Sequence, residues 1–185
     1  VPCCGIPALS AGDRQTFEAL VKKNVQIFDS IAFDYLVTPC ATCTSTIKKL
    51  WPMMTENLPD PLRSKVLAIS EKTRDINELL ADVINIAPMA REASPGKRVT
   101  YHDPCHLKKS LGIESQPRTV LKSLPDWEFV EMREPDRCCG MGGSFNLQHY
   151  DLSRKIGQKK LDRIIESGAD AVATGCPACM MQITD

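Results

Sequence analysis

Apolar positions recur along this chain with helical spacing in some stretches and gather into short β-type runs in others. Over residues 13–31 they fall at Phe17, Leu20, Val21, Val25, Phe28 and Ile31, which predicts a helix with one buried face. Tyr35, Leu36 and Val37 form a β-type run that predicts a strand over 34–39 and delivers Cys40 at its end. Thr44 to Met54 reads as a helix starting at the Cys40-x-x-Cys43 pair, and Pro59 and Pro61 break the chain. A further helical pattern over 70–92 carries Ile76, Leu79, Leu80, Val83 and Ile84, with Ser70 placed as its N-cap. Val99 to His102 predicts a strand, 117–124 a helix, and Glu128 to Met132 a strand leading toward Cys138. Residues 151–167 form an amphipathic helix through Leu152, Ile156, Leu161, Ile164 and Ile165, followed by a strand from Ala171 to Thr174. Strands alternating with helices predict an α/β fold with parallel pairing. Ligands in such folds gather in loops beyond the carboxyl ends of strands, and Cys40, Cys105 and Cys176 each follow a predicted strand.

The chain also repeats itself. Cys3-Cys4-Gly5 is followed 35 positions after Gly5 by Cys40-Ala41-Thr42-Cys43. Cys138-Cys139-Gly140 is followed 36 positions after Gly140 by Cys176-Pro177-Ala178-Cys179. The flanks agree, Asp34 to Pro39 before the first C-x-x-C and Asp170 to Gly175 before the second. Cys105, separated by 32 residues from Cys138, completes the second set, and its counterpart in the first would lie ahead of Val1. One pattern used twice, read as a fragment missing its start, therefore accounts for all nine cysteines. The expected organisation is two pseudo-symmetric repeated units with short parallel sheets flanked by helices. They span 1–94 (incomplete at its N-terminus) and 95–185, with Ser94 to Lys97 as the boundary.

Composition narrows the chemistry. Lys plus Arg and Asp plus Glu are 23 each, so no basic field invites nucleic acid or anionic lipid. No apolar run approaches the roughly 20 residues of a bilayer span, and no signal peptide is visible. An odd number of cysteines suits a closed disulfide framework poorly. Short Cys spacings without an export signal point instead to ligands or redox groups. C-x-x-C is a bidentate clamp, and at a helix N-terminus the dipole favours thiolate. Alone it is shared by zinc and thioredoxin-like sites. Five thiolates, Cys105, Cys138, Cys139, Cys176 and Cys179, exceed the four that zinc or an ordinary cubane takes and suit a larger or more open cluster. Iron–sulfur ligation stands first for this set, ahead of zinc and of free or oxidised thiols. For Cys3, Cys4, Cys40 and Cys43 a zinc or empty site stands level with a cluster. Gly5 and Gly140-Met141-Gly142-Gly143 let the backbone turn and aim amides at sulfur.

These motifs resemble the cysteine-rich CCG domain family over essentially the whole chain. That family includes the CCG-bearing subunit of heterodisulfide reductase, the iron–sulfur subunit of glycolate oxidase, lactate-utilisation iron–sulfur proteins and a subunit of anaerobic glycerol-3-phosphate dehydrogenase. The resemblance implies a [4Fe-4S] cluster, of the non-cubane kind, on Cys105, Cys138, Cys139, Cys176 and Cys179. It implies a second cluster or zinc on Cys3, Cys4, Cys40 and Cys43 once a further cysteine is supplied, and a protein that can be isolated without its clusters. A Gly after both Cys-Cys pairs is similar to the glycolate and lactate branch. The implied role is an electron-transfer subunit or domain of an oxidoreductase linked to hydroxy-acid oxidation. It would act with a flavoprotein or a ferredoxin-like domain, in the cytoplasm or at the inner membrane face through partners. The alternatives are a heterodisulfide-reductase-like catalytic subunit and a structural zinc-binding assembly module.

The remaining side chains read more plainly. His102 and His106 flank Cys105 and are expected as hydrogen-bonded loop histidines before a ligand or a proton donor. His149 is expected at the surface. Met180, Met181, Trp51 and Trp127 are expected in packing. Lys108-Lys109 and Lys159-Lys160 are expected on solvated helix faces.

Overall fold

The computed structural model describes residues 2–87 and 96–185. It is an α/β protein of two compact units, one running to Asp75 and the other from Ile76 to Asp185. The repeats suggest a division after residue 94. Residues 88–95 lie outside the described residues, and the segment Ile76–Val83 packs within the second unit.

In the first unit, α1 (Ile6–Ser10) leads to α2 (Arg14–Asp29), β1 (Leu36–Thr38), α3 (Ala41–Ser45), a π-helical turn at Thr46–Leu50, α4 (Trp51–Met54), α5 (Asp60–Lys72) and β2 (Thr73–Asp75). Asp13 caps α2, its carboxylate accepting the Thr16 N–H at 2.9 Å. Phe17, Val21, Val25 and Phe28 share one face of α2 and meet Ile47, Trp51, Val66 and Ile69 in the core. Cys4 is buried in that same cluster. Pro52 has no N–H for the helical ladder, and the ladder widens to a π turn just ahead of it. β1 and β2 pair in parallel, Leu36 level with Thr73 and Thr38 with Asp75.

The predicted helix over 70–92 does not form as one piece. Its start belongs to α5, where Pro59 and Pro61 begin a helix rather than merely break the chain, because early helical positions need no N–H donor. Ser70 lies near the end of α5 instead of capping a helix, its buried hydroxyl lying 2.7 Å from the Ile47 carbonyl and 2.8 Å from that of Val66. Thr73-Arg74-Asp75 then becomes a strand by pairing with β1, a tertiary contact overriding weak local preference. Past it run α6 (Ile76–Glu78) and a π-helical turn at Leu79–Val83.

The second unit holds a three-stranded parallel sheet in the order β4 (Trp127–Phe129), β3 (Lys97–Tyr101), β5 (Ala171–Ala173). Thr100 stands level with Val172 and Tyr101 with Ala173. A π-helical turn at His106–Ser110, α7 (Ser115–Ser123), α8 (Phe145–Gln148), α9 (Tyr150–Glu166) and α10 (Pro177–Thr184) complete it. The central strand buries Val99, Thr100 and Tyr101 in succession. α9 is a helix as predicted, but its apolar positions are not what it buries. Leu152, Leu161 and Ile165 are exposed, whereas Ser153 and Lys160 are buried and Gly157 lies against the Cys139 carbonyl.

Candidate metal centre

Each Cys-Cys-Gly segment makes the same turn. Gly5 has φ 96° and Gly140 has φ 102°, values that side chains on L-residues rarely adopt. The Gly5 N–H donates to Cys3 Sγ at 3.5 Å, and the Gly140 N–H donates to Cys138 Sγ at 3.3 Å. In both turns the first cysteine is exposed and the second buried. A Cβ on Gly140 would stand 2.5 Å from the Ser153 carbonyl oxygen, so the turn can rest against α9 only with glycine there.

The C-x-x-C pairs also match. Cys40 and Cys176 are the extended N-cap residues of α3 and α10, each just beyond a strand. The Cys43 N–H donates to Cys40 Sγ at 3.5 Å. At Cys40, helix onset thus gives the sulfur a backbone donor and the positive end of the peptide dipoles.

The two motifs of each unit converge, and their thiols ionise unequally. Hydrogen bonding from the Cys43 thiol, helped by the Ile6 N–H and Thr46, brings Cys4 down to about 6 against the effect of burial. Its partner Cys43 is pushed far up by the bonds it gives to Cys4 and Cys40, and by burial. The second unit repeats this. Cys139 is held well below the thiol range by hydrogen bonds from Cys138 and Cys179, with a smaller contribution from the nearby His102 ring. Cys179 is driven up by its bonds to Cys139 and Cys176, and Cys138 by its bond to Cys139 and by burial. Cys105 is exposed and near enough to add its own charge repulsion at Cys138. All five sequence-predicted cysteines of the second unit therefore interact in a chain, and so do Cys3, Cys4, Cys40 and Cys43 in the first. One thiolate ringed by thiols that cannot ionise beside it is a donor set that a soft cation would relieve. With amides aimed at sulfur, it fits an iron–sulfur group or zinc.

Polar scaffolding holds the second turn. The Ser153 hydroxyl lies 2.9 Å from the Gly140 carbonyl, and the Asn146 amide donates to Gln182 Oε1 at 2.9 Å. Lys160 donates to the carbonyls of Glu134 and Pro135 at 2.8 and 3.0 Å, and the Asp103 N–H donates to the Pro135 carbonyl at 2.9 Å. In the first unit Trp51 Nε1 donates to the Cys4 carbonyl at 2.8 Å and Asn24 to that of Cys3 at 3.0 Å. Trp51 is thus a packing residue that also fixes the site.

Several expectations change. Lys160 is 1% exposed rather than on a solvated face, because the loop leading to Cys138 needs a buried donor. Lys108 reaches Glu114 at 2.8 Å and Asp136 at 3.6 Å. Met180 and Met181 are exposed instead of packed, since α10 turns Cys179 and Gln182 inward. His149 is exposed, as expected. His102 stands in the loop just past β3, as expected, with its ring beside the Cys139 sulfur. Its backbone N–H continues the sheet by donating to the Ala173 carbonyl at 2.9 Å, while its side chain is buried and neither ring nitrogen makes a well-formed hydrogen bond. What the ring meets instead is sulfur. His102, Cys139 and Cys179 each offer a ligand atom, all within 4.8 Å of one another. The clue in the sequence was its position, directly after three residues of an apolar strand and ahead of Pro104-Cys105.

The cysteine-rich domain family, CCG, matches residues 2–48 and 99–184. The chain belongs to this family. A fumarate reductase (CoM/CoB) subunit of Methanothermobacter marburgensis is 36% identical over 183 residues, 99% of this chain and 34% of that protein. The CCG chain spans about a third of that relative's length. Lactate utilization protein A of Oceanobacillus iheyensis is 29% identical, over 98% of this chain and 72% of that protein. A subunit of the dihydromethanophenazine:CoB–CoM heterodisulfide reductase of Methanosarcina barkeri is 31% identical, over 99% of this chain and 44% of that protein. No helix among the described residues is long and apolar enough to cross a membrane.

Proposed function

We propose that this CCG chain is an iron–sulfur, electron-carrying part of an oxidoreductase. Cys105, Cys138, Cys139, Cys176 and Cys179 would hold a [4Fe-4S] cluster of open, non-cubane form. Cys3, Cys4, Cys40 and Cys43 would hold a second cluster or zinc once a further ligand is supplied. The observation that carries this is the convergence of the second unit's cysteines, Cys139 and Cys179 buried with their sulfurs within 4.8 Å of each other and the Gly140 N–H directed at Cys138 Sγ. Relatives named as reductase subunits and as a lactate utilization protein support it. Such a group, when bound, supplies one-electron transfer. The chain's own contribution is to present the sulfurs, donate N–H groups to them and exclude water around Cys139 and Cys179.

The lactate relative favours electrons drawn from hydroxy-acid oxidation, passed on through a flavoprotein or ferredoxin-like partner in the cytoplasm or at the membrane face. The heterodisulfide reductase relative favours a second reading, disulfide reduction by the chain itself. Anaerobic purification with iron, zinc and acid-labile sulfide quantified, followed by EPR, tests the common part. Brown protein containing iron and sulfide is expected. Cys138→Ser and Cys139→Ser should each remove the second unit's EPR signal and its share of the iron while far-UV circular dichroism keeps its helical intensity. Colourless protein with stoichiometric zinc would replace this reading with the assembly module.

A further inference from the structure

His102 is a buried group at the second centre that the cysteine pattern does not account for. Its side chain is 1% exposed, and Nδ1 and Nε2 are both buried without a well-formed hydrogen bond. Native proteins seldom leave a buried polar group unsatisfied, and where no protein group meets it a water, an ion or another ligand does. The ring is also held in place. Its backbone is locked to the carbonyl of Ala173 at the end of β5, three residues before Cys176, and Tyr101 and Asp103 on either side are buried. A ring nitrogen lies within 4.8 Å of the sulfurs of Cys139 and Cys179, themselves within 4.8 Å of each other. One nitrogen and two sulfurs at that spacing can face one metal ion.

We propose that His102 is a nitrogen ligand of the metal at the second centre, coordinating the same iron as Cys139 and Cys179. This rests on the iron–sulfur reading above and extends it from an all-cysteine donor set to a mixed one. The two units then differ in kind. All three histidines of the chain lie in the second unit, and the residue level with Thr38 beside the first C-x-x-C is Asp75, a carboxylate.

The test uses the full chain with histidine labelled by 15N, reconstituted anaerobically with iron and sulfide and examined by pulse EPR in its paramagnetic state. A directly coordinated histidine nitrogen is expected in the parent protein and in His106→Gln, and its absence in His102→Gln. A histidine coupling unchanged in His102→Gln, or none of the strength of a direct bond in fully loaded parent protein, overturns the proposal. A second arm does not depend on iron. Co2+ is titrated into the apo chain carrying Cys40→Ser and Cys43→Ser, so that the second unit's donors dominate. Adding His102→Gln should weaken Co2+ binding at least about tenfold and shift its visible bands. His102→Cys should restore affinity with an added sulfur charge-transfer band, which also separates lost ligation from lost folding. Equal affinity and identical spectra in all three overturn the proposal. Parent protein that takes up no iron would defeat the iron–sulfur reading alone, and the Co2+ arm would still decide His102.

Discussion

Two glycines and a handful of sulfurs set the chemistry at the residue scale. Gly140 and Gly5 share a left-handed backbone, but what crowds them differs. A Cβ at Gly140 would meet backbone, the Ser153 oxygen at 2.5 Å and the Gly157 nitrogen at 3.1 Å, whereas one at Gly5 would meet the Phe17 ring at 2.7 Å. Backbone of a helix cannot yield, and a ring can shift by a few tenths of an ångström. Gly140→Ala should therefore cost about 2–4 kcal/mol in urea unfolding, more than Gly5→Ala. Gly12, with φ +82° and open space around it, is the control, and Gly12→Ala should cost only about 1 kcal/mol. If Gly140→Ala proves as mild as Gly12→Ala, the close seat of the Cys-Cys-Gly turn on α9 is wrong.

At the scale of elements, α9 is a bracket for a polar loop rather than a core helix. Ser153, Gly157 and Lys160 recur on one face and touch the Gly140, Cys139 and Glu134–Pro135 carbonyls. Lys160→Met should destabilise the second unit by about 1–3 kcal/mol, because the Glu134 and Pro135 carbonyls each lose a charged donor and keep only the Arg137 and Asp103 N–H groups. Burial brings the Lys160 ammonium down to about 8 from its usual 10.5, despite the attraction of Asp136 and Asp103. Between those values the unfolded chain binds the proton that the folded chain has released, so folding stability gains with rising pH across that window. Below about 8 both states are protonated and the gain is absent. The stability of the parent relative to Lys160→Met should accordingly grow from pH 8 to 10.5, as followed by chemical denaturation of the apo protein. A flat difference would mean that Lys160 is not buried as described.

Across the whole second unit, the site is tied to the sheet through a buried ion pair. Asp103, two residues before Cys105, is 1% exposed and takes both arms of Arg118 at 2.9 Å, while Arg118 also reaches Glu131 at 2.6 and 2.9 Å. This joins the end of β3, helix α7 and the segment after β4. Arg118→Met leaves the buried Asp103 carboxylate only the Lys108 ammonium at 3.9 Å and should cost roughly 3 kcal/mol, measurable as a lowered urea midpoint. Asp103→Asn in the same chain should recover part of that loss, since the charge left poorly paired is gone. A double variant no more stable than Arg118→Met would show that packing, not charge, carries the effect.

The sequence alone determined the repeat, the family and the grouping of the cysteines, because paired cysteines and the glycine that follows them are local patterns with few other uses. It also determined α2, α7, α9 and the three strands around Cys40, Cys105 and Cys176, whose periodicity or β-type runs are strong. Tertiary structure decided the rest. β2 exists because β1 is there to pair with it, and Ser70 sits in the last turn of one helix instead of starting another because Ile47 offers it a carbonyl. Lys160 is buried and Met180 exposed because helix faces are chosen by the loop they support, which periodicity within one helix does not show. The ring of His102 faces sulfur because β3 pairs with β5, a contact between residues about seventy positions apart.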